Sequence, residues 1–351
     1  MYIMNSEIEM GPIRPPSEAE STLLRVTRNC SWNKCRFCNL YKGQRFSTRP
    51  IEDIKSDIDK ISAYGDSPHG YMYNSNSESV FSQDANTMVL TYDKLKEILV
   101  YLREKLPQVK RVTSYGRVDS MMKFSVPQLT GLKEAGLDRI HSGYESGSDK
   151  VLALLNKGHT KAQEIEAGRK VMESGIELSV YFMPGAGGAE LSENNATETA
   201  DVVNKVGPDF VRIRTFVSQK GAGIFEDIDS GRIKECTDRE KMLELKKMIE
   251  HLEVFGGYLY SDHIVNLLEE VNGNMKDDKS KMLEVFEAFE RLDPQEQLRY
   301  QLARRMAMVR AVWHMELLSA EQREKIDAVL SQLDSEEKFE TFLLRFLRHY
   351  I

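Results

Sequence analysis

Cys30-Ser-Trp-Asn-Lys-Cys35-Arg-Phe-Cys38 is the stretch that decides how this 351-residue chain is read. It follows Leu23–Thr27, a short apolar run with the character of a first strand. Three thiolates on one loop can hold three irons of a cubane cluster, and such clusters normally have four cysteine ligands. The fourth iron is then open to a small molecule. Two other readings compete. A zinc knuckle needs a fourth Cys or His at matching spacing; Cys236 stands alone, so His69 or His141 would have to fold back to complete it. A thioredoxin-type dithiol uses only a CxxC pair, leaves Cys30 without a part, and belongs to a different strand–helix context.

Outward from this loop, short apolar runs alternate with amphipathic helical patterns as far as about residue 217. The expected strands are Leu23–Thr27, Ser79–Asp84, Arg111–Tyr115, Arg139–Gly143, Glu177–Met183 and Phe210–Thr215. The expected helices between them are Ile51–Ala63, Tyr92–Lys105, Val126–Ala135, Asp149–Asn156 with Ala162–Ser174, and Glu193–Val206. Six strand–helix repeats in one direction imply a parallel sheet with right-handed crossovers, either open or partly closed. After Gly231 the pattern becomes helical and highly charged, with helices expected over Lys241–His251, Asp262–Val271, Lys281–Arg291, Pro294–Met315 and Ala320–Ser331. The chain therefore divides into an N-terminal extension (1–20), a core (21–230) and a helical C-terminal region (231–351).

Hydrophobic residues at 41% and charged residues at 29% give the ordinary balance of a globular protein. A formal net charge of -7 supplies no global field for nucleic acid, which disfavours an RNA substrate while leaving room for a local basic patch. No apolar run approaches the ~20 residues of a membrane-spanning helix. The first ten residues, with Glu7 and Glu9, lack the basic and apolar regions of a signal peptide. A cytoplasmic protein is expected, in which clustered cysteines signify metal or redox chemistry.

The cysteine loop resembles that of the radical S-adenosylmethionine (SAM) superfamily, and within it the Elp3-like, MiaB-like and coproporphyrinogen-dehydrogenase-like branch. In that family three cysteines after the first strand bind an oxygen-sensitive [4Fe–4S] cluster, and an aromatic residue precedes the last of them, as Phe37 does here. The family's usual spacing is three residues and then two, against four and then two in this chain. The resemblance runs over roughly residues 20 to 230 and implies a partial (β/α)6 TIM-like barrel. It further implies reductive cleavage of SAM to a 5′-deoxyadenosyl radical, which abstracts hydrogen from a substrate. An electron donor such as flavodoxin or ferredoxin is implied as partner, and a small-molecule substrate is favoured over tRNA.

Several positions carry over from the resemblance as SAM contacts. Gln83 and Asp84 end the second strand, in Phe81-Ser-Gln-Asp-Ala-Asn-Thr87, where the family places a glycine-rich segment that this chain lacks. Ser114 is on the third strand. Glu145 ends the fourth, in Asp138-Arg-Ile-His-Ser-Gly-Tyr-Glu145, at the place of a polar residue facing the SAM ribose. Lys157 stands where relatives set a cation against the SAM carboxylate, and Tyr181 opens Tyr181-Phe-Met-Pro-Gly-Ala-Gly-Gly188, similar to stretches passing the adenine. For Phe210-Val-Arg-Ile-Arg-Thr215 the strand period sets Val211 and Ile213 on one face and Arg212 and Arg214 on the other. Both arginines are therefore expected to point inward, either paired with acids such as Glu145 or Asp84, or holding an anionic group of the substrate or the SAM carboxylate.

Overall fold

A computed structural model gives the structure for residues 8–64, 77–253 and 255–349. His69 and the first seven residues of the expected N-terminal extension lie outside the described residues. The fold class is α/β with a mostly parallel sheet, and its strand–helix order is that of a (β/α)6 partial barrel. All six expected strands form: β1 (Thr22–Arg25, after which a two-residue β2, Thr27–Arg28, pairs with β3, Ser47–Thr48), β4 (Ser79–Gln83), β5 (Arg111–Tyr115), β6 (Arg139–Glu145), β7 (Glu177–Phe182) and β8 (Phe210–Ile213). The chain forms two compact units.

The first unit takes its described residues from Met1–Lys34, Leu40–Gly143 and Ala162–Ser179. Strands β1, β4, β5 and β6 lie side by side and parallel, with Leu24 opposite Ser82, Ser82 opposite Ser114, and Ser114 opposite Ile140. Because side chains alternate along a strand, this row shares one face with Val80 and Val112, which are fully buried. Three helices supply apolar stripes at helical spacing: Ile54, Ile58 and Ile61; Leu95, Ile98, Leu99 and Leu102; Leu129 and Leu132. The third of these helices is started by a capping box between Ser125 and Gln128. The opposite face of the strands carries Phe81, Tyr115 and His141 in edge-to-face contact. Glu18, fully buried, accepts hydrogen bonds there from Ser21 and Arg111 and pairs with His141 at 3.1 Å. Burial alone would raise its carboxyl, but these bonds and the nearby positive charge bring it down to about 2.

The second unit holds Cys35–Asn39, Tyr144–Lys161 and Val180–Ile351. Within it β8 runs parallel to β9 (Tyr258–Tyr260), which pairs antiparallel with β10 (Asn272–Asn274). These two strands lie inside the region expected to be helical and poor in strands. Val211, Ile213 and Leu259 are fully buried on one face, so the alternation expected of β8 is present. The helix Gly188–Val206 packs against Asp238–His251, burying Ala196, Ala200 and Val203 together with Met242, Leu245 and Ile249.

Two helices expected from periodicity differ. Asp262–Val271 is an irregular loop, because its polar groups have stronger calls elsewhere. The Asn266 amide donates to Ile213 O and accepts from Thr215 N, and Ser261 donates to Leu268 O. Pro294–Met315 breaks after Arg305, where Ala307 takes a left-handed φ of +56°, and resumes as a short 3-10 turn over Val312–Leu317. Helices Gly223–Asp229 and Glu336–His349 were not anticipated.

Candidate functional site

In the first unit the stem of the cysteine loop is fixed by Asp84 and by asparagines that were not singled out from sequence. Asn29 and Asn33 adopt left-handed φ values of +65° and +48°, a conformation that Asn tolerates better than most residues. Asn29 N donates to Asp84 Oδ2 at 3.1 Å, and Asn86 Nδ2 donates to Ser31 Oγ at 2.9 Å. Asn33 N points to Cys30 Sγ at 3.4 Å, while its side chain donates to Tyr41 O. Trp32 lies under the Arg117 guanidinium.

Asp84 is fully buried, and its carboxylate takes up Arg25 Nη2 at 2.9 Å, Asn29 N and the Tyr41 hydroxyl. Burial, followed by this bond to Asp84, holds the Tyr41 phenol far above its ordinary range. Gln83 is equally buried. Its amide accepts from Gly11 N at 2.9 Å and donates to Ile13 O at 2.6 Å. Ser114 is 1% exposed and its Oγ has no hydrogen-bond partner among the described residues. It sits on the Val112 face of β5, whereas Gln83 lies on the Phe81 face of β4.

In the second unit three expected positions come together. Lys157 Nζ lies 3.3 Å from Glu145 Oε1 and 5.5 Å from the centre of the Phe37 ring. Lys157 is 4% exposed. Glu145 has a left-handed φ of +65°, which costs a residue with a Cβ roughly 1–2 kcal/mol; strain of this sort gathers at functional positions. The loop bearing Phe37 is tied down by Arg36, whose N donates to Leu155 O and whose guanidinium reaches Gly223 O and Asp227. The glycines after Tyr181 are packed by protein. A Cβ on Gly185 would meet Lys241 Cγ at 2.8 Å, and one on Gly188 would meet Lys234 O at 3.0 Å.

Arg212 and Arg214 share one carboxylate, Asp262, at 3.4 Å each. Neither Glu145 nor Asp84 fills that place, and Asp262 was legible only as part of an expected helix. The Arg212 guanidinium lies over the Tyr260 ring, and that of Arg214 over Tyr181, which gathers a third expected residue here. Arg212 Nε and Arg214 Nη2 are buried without hydrogen-bond partners among the described residues. Burial and the Arg214 charge push the adjacent His263 imidazole down to about 4, so it stays neutral near pH 7. Two guanidinium groups thus face a single half-exposed acid, and a net positive charge with unused donors remains.

The sequence profile of the Radical SAM superfamily matches residues 24–197. The chain belongs to the radical SAM superfamily. Its curated relatives include a tRNA-2-methylthio-N(6)-dimethylallyladenosine synthase of Hahella chejuensis, 27% identical over 56% of this chain and 43% of that protein. Another is the 4′-phospho-dehydrooxetanocin synthase of Priestia megaterium, 28% identical over 46% of this chain and 23% of that one. This radical SAM chain spans about half, or less, of the length of the curated relatives it matches. Among solved structures, Escherichia coli coproporphyrinogen III oxidase aligns over 66% of this chain and 51% of its own, at 14% identity and a TM-score of 0.48.

Membership brings two cofactors, a [4Fe–4S] cluster and SAM. The donor chemistry of this radical SAM chain fits the cluster. Cys30, Cys35 and Cys38 are thiols outside any disulfide, on one loop. Cys236 is also unbridged but buried, and burial pushes its thiol up to about 12, unsuited to ligation as a thiolate. Among the described residues, no group of three or more His, Cys, Asp or Glu is already gathered as a metal site. No helix among them is long and apolar enough to cross a membrane.

Proposed function

We propose that this chain binds a [4Fe–4S] cluster through Cys30, Cys35 and Cys38 and acts, in the cytoplasm, on a small substrate bearing an anionic group. When bound, the cluster and SAM supply the one-electron cleavage that yields a 5′-deoxyadenosyl radical, with the electron drawn from a flavodoxin- or ferredoxin-type donor. The residues of the chain then bind, orient and exclude water. Lys157 sets a buried cation against the SAM carboxylate, a charge-assisted contact. Glu145 accepts from a ribose hydroxyl, and Phe37 and Tyr181 give apolar surface. From the first unit Gln83 and Asp84 are proposed to act through the stem of the cysteine loop, whereas Ser114 faces the other side of its strand and is left out of the set. The catalytic core is proposed to span 21–230, with 231–351 as an appended region.

One observation carries the substrate class: Arg212 and Arg214 share Asp262 while Arg212 Nε and Arg214 Nη2 have no hydrogen-bond partner among the described residues. A buried unsatisfied donor is costly, and a carboxylate or phosphate would satisfy both. The name of the Priestia megaterium relative contains a small phosphorylated compound, which supports this reading. The test is Arg212→Gln and Arg214→Gln, measured for cluster content, SAM affinity and substrate-dependent 5′-deoxyadenosine. Loss of turnover with cluster and SAM affinity intact is expected. Unchanged turnover in both variants would remove the anionic substrate. A tRNA substrate is the second reading, favoured by the names of several curated relatives. It requires turnover with tRNA and none with small anionic metabolites.

A further inference from the structure

The segment from Glu9 to Ile13 lies across the C-terminal ends of β1 and β4, and its contacts are specific. Glu9 accepts from Arg25 Nη1 at 2.9 Å, from Arg28 Nε and Nη2 at 2.7 Å each, and lies 3.3 Å from Arg49 Nε. Its carboxyl is held below the ordinary range, first by the Arg28 bond, against some desolvation. Two residues on, Gly11 N donates to Gln83 Oε1, and the Gln83 amide donates back to Gly11 O and Ile13 O. A Cβ on Gly11 would meet Gln83 Cδ and Asp84 Cγ at 3.3 Å. Ile8, just before, is 1% exposed.

We infer that Glu9–Ile13 is a strap that positions the cysteine loop, with Glu9 and Gly11 as its positioning residues. Two connections run from strap to loop. Glu9 orients Arg25, which donates to Asp84 Oδ2, the same oxygen that receives Asn29 N beside Cys30. Glu9 also grips Arg28 directly, two residues before Cys30. The Gly11–Gln83 pairing fixes the strand end from which Asp84 projects. Arg25 and Arg28 would otherwise present two neighbouring cations beside the loop. Glu9 is the counter-charge that Arg28 uses and that Arg25 shares with Asp84, so Asp84 can hold Arg25 and the loop backbone at once.

This inference rests on Cys30 being a cluster ligand. Partners that orient ligands typically alter metal affinity by about 10–100-fold. The full chain carrying Glu9→Ala, Glu9→Asp, Glu9→Gln or Gly11→Val is therefore to be reconstituted without oxygen and challenged with an iron chelator, following loss of cluster absorbance. Release is expected to be about tenfold faster in Glu9→Ala and Gly11→Val. Glu9→Asp should recover part of the loss and Glu9→Gln less, with unchanged far-UV circular dichroism throughout. A merely structural strap would lower thermal stability without this order. If Glu9→Ala does not fold, Glu9→Gln against Glu9→Asp carries the comparison. Wild-type release rates in the folded variants would overturn the strap. Retention of iron by Cys30→Ala would instead overturn the cluster assignment beneath it, so the two failures are distinguishable.

Discussion

Glu244 shows how a single buried acid is tuned. Its carboxylate receives Gly185 N at 3.0 Å, Ser192 Oγ at 2.6 Å and Asn195 Nδ2 at 2.6 Å. Burial pushes its carboxyl up to about 7 nonetheless, outweighing those bonds and the Lys241 charge. The folded state therefore holds a proton that the unfolded chain releases above its ordinary value of 4.5. Stability from this group is fully present below that value and is lost as pH rises towards 7, by at most about 3 kcal/mol. Glu244→Gln mimics the protonated acid, so urea midpoints across this window should flatten in the variant. An unchanged slope would show that Glu244 ionises freely. Lys157 and Glu145 give the second case. Removing either leaves the other short of its charge partner, so each alanine variant should weaken SAM binding by about 1.5–3 kcal/mol by calorimetry. The double variant should cost less than the sum, because the pair is in contact. Unchanged affinity in both single variants would remove them from the site.

At the level of elements, period and punctuation carried most of the information. Helix Tyr92–Lys105 and strand Arg111–Tyr115 begin and end where their patterns do. The alternation in Phe210–Ile213 gave the two faces of β8 correctly. Periodicity failed at Asp262–Val271, where apolar residues at helical spacing belong to a loop whose Asn266 is bound to the end of β8. That partner is some fifty residues away in sequence, so no local signal announces it. β9 and β10 are three residues each, too short for a pattern of period two to stand out. Asn266→Leu should test the tether. It leaves Ile213 O and Thr215 N without buried partners, and urea denaturation should show a loss of about 1–3 kcal/mol per orphaned group. A neutral substitution would mean that the loop is held by its apolar residues alone.

For the whole molecule, the three cysteines were legible because ligand chemistry demands particular residues at close spacing. The strap at Glu9–Ile13 and the sharing of Asp262 by two arginines were not, since both depend on which distant residues the fold brings together. Membership of the radical SAM superfamily joins the loop to the strand–helix order, and the chemical consequence proposed for it is a cluster held by Cys30, Cys35 and Cys38. Iron per chain after anaerobic reconstitution, compared across Cys30→Ala, Cys35→Ala, Cys38→Ala and Cys236→Ala, tests that consequence most directly. About four irons are expected for the wild type and for Cys236→Ala, with loss or a labile remnant in each of the other three. Full iron in Cys35→Ala, or a loss in Cys236→Ala as complete as in Cys35→Ala, would contradict it.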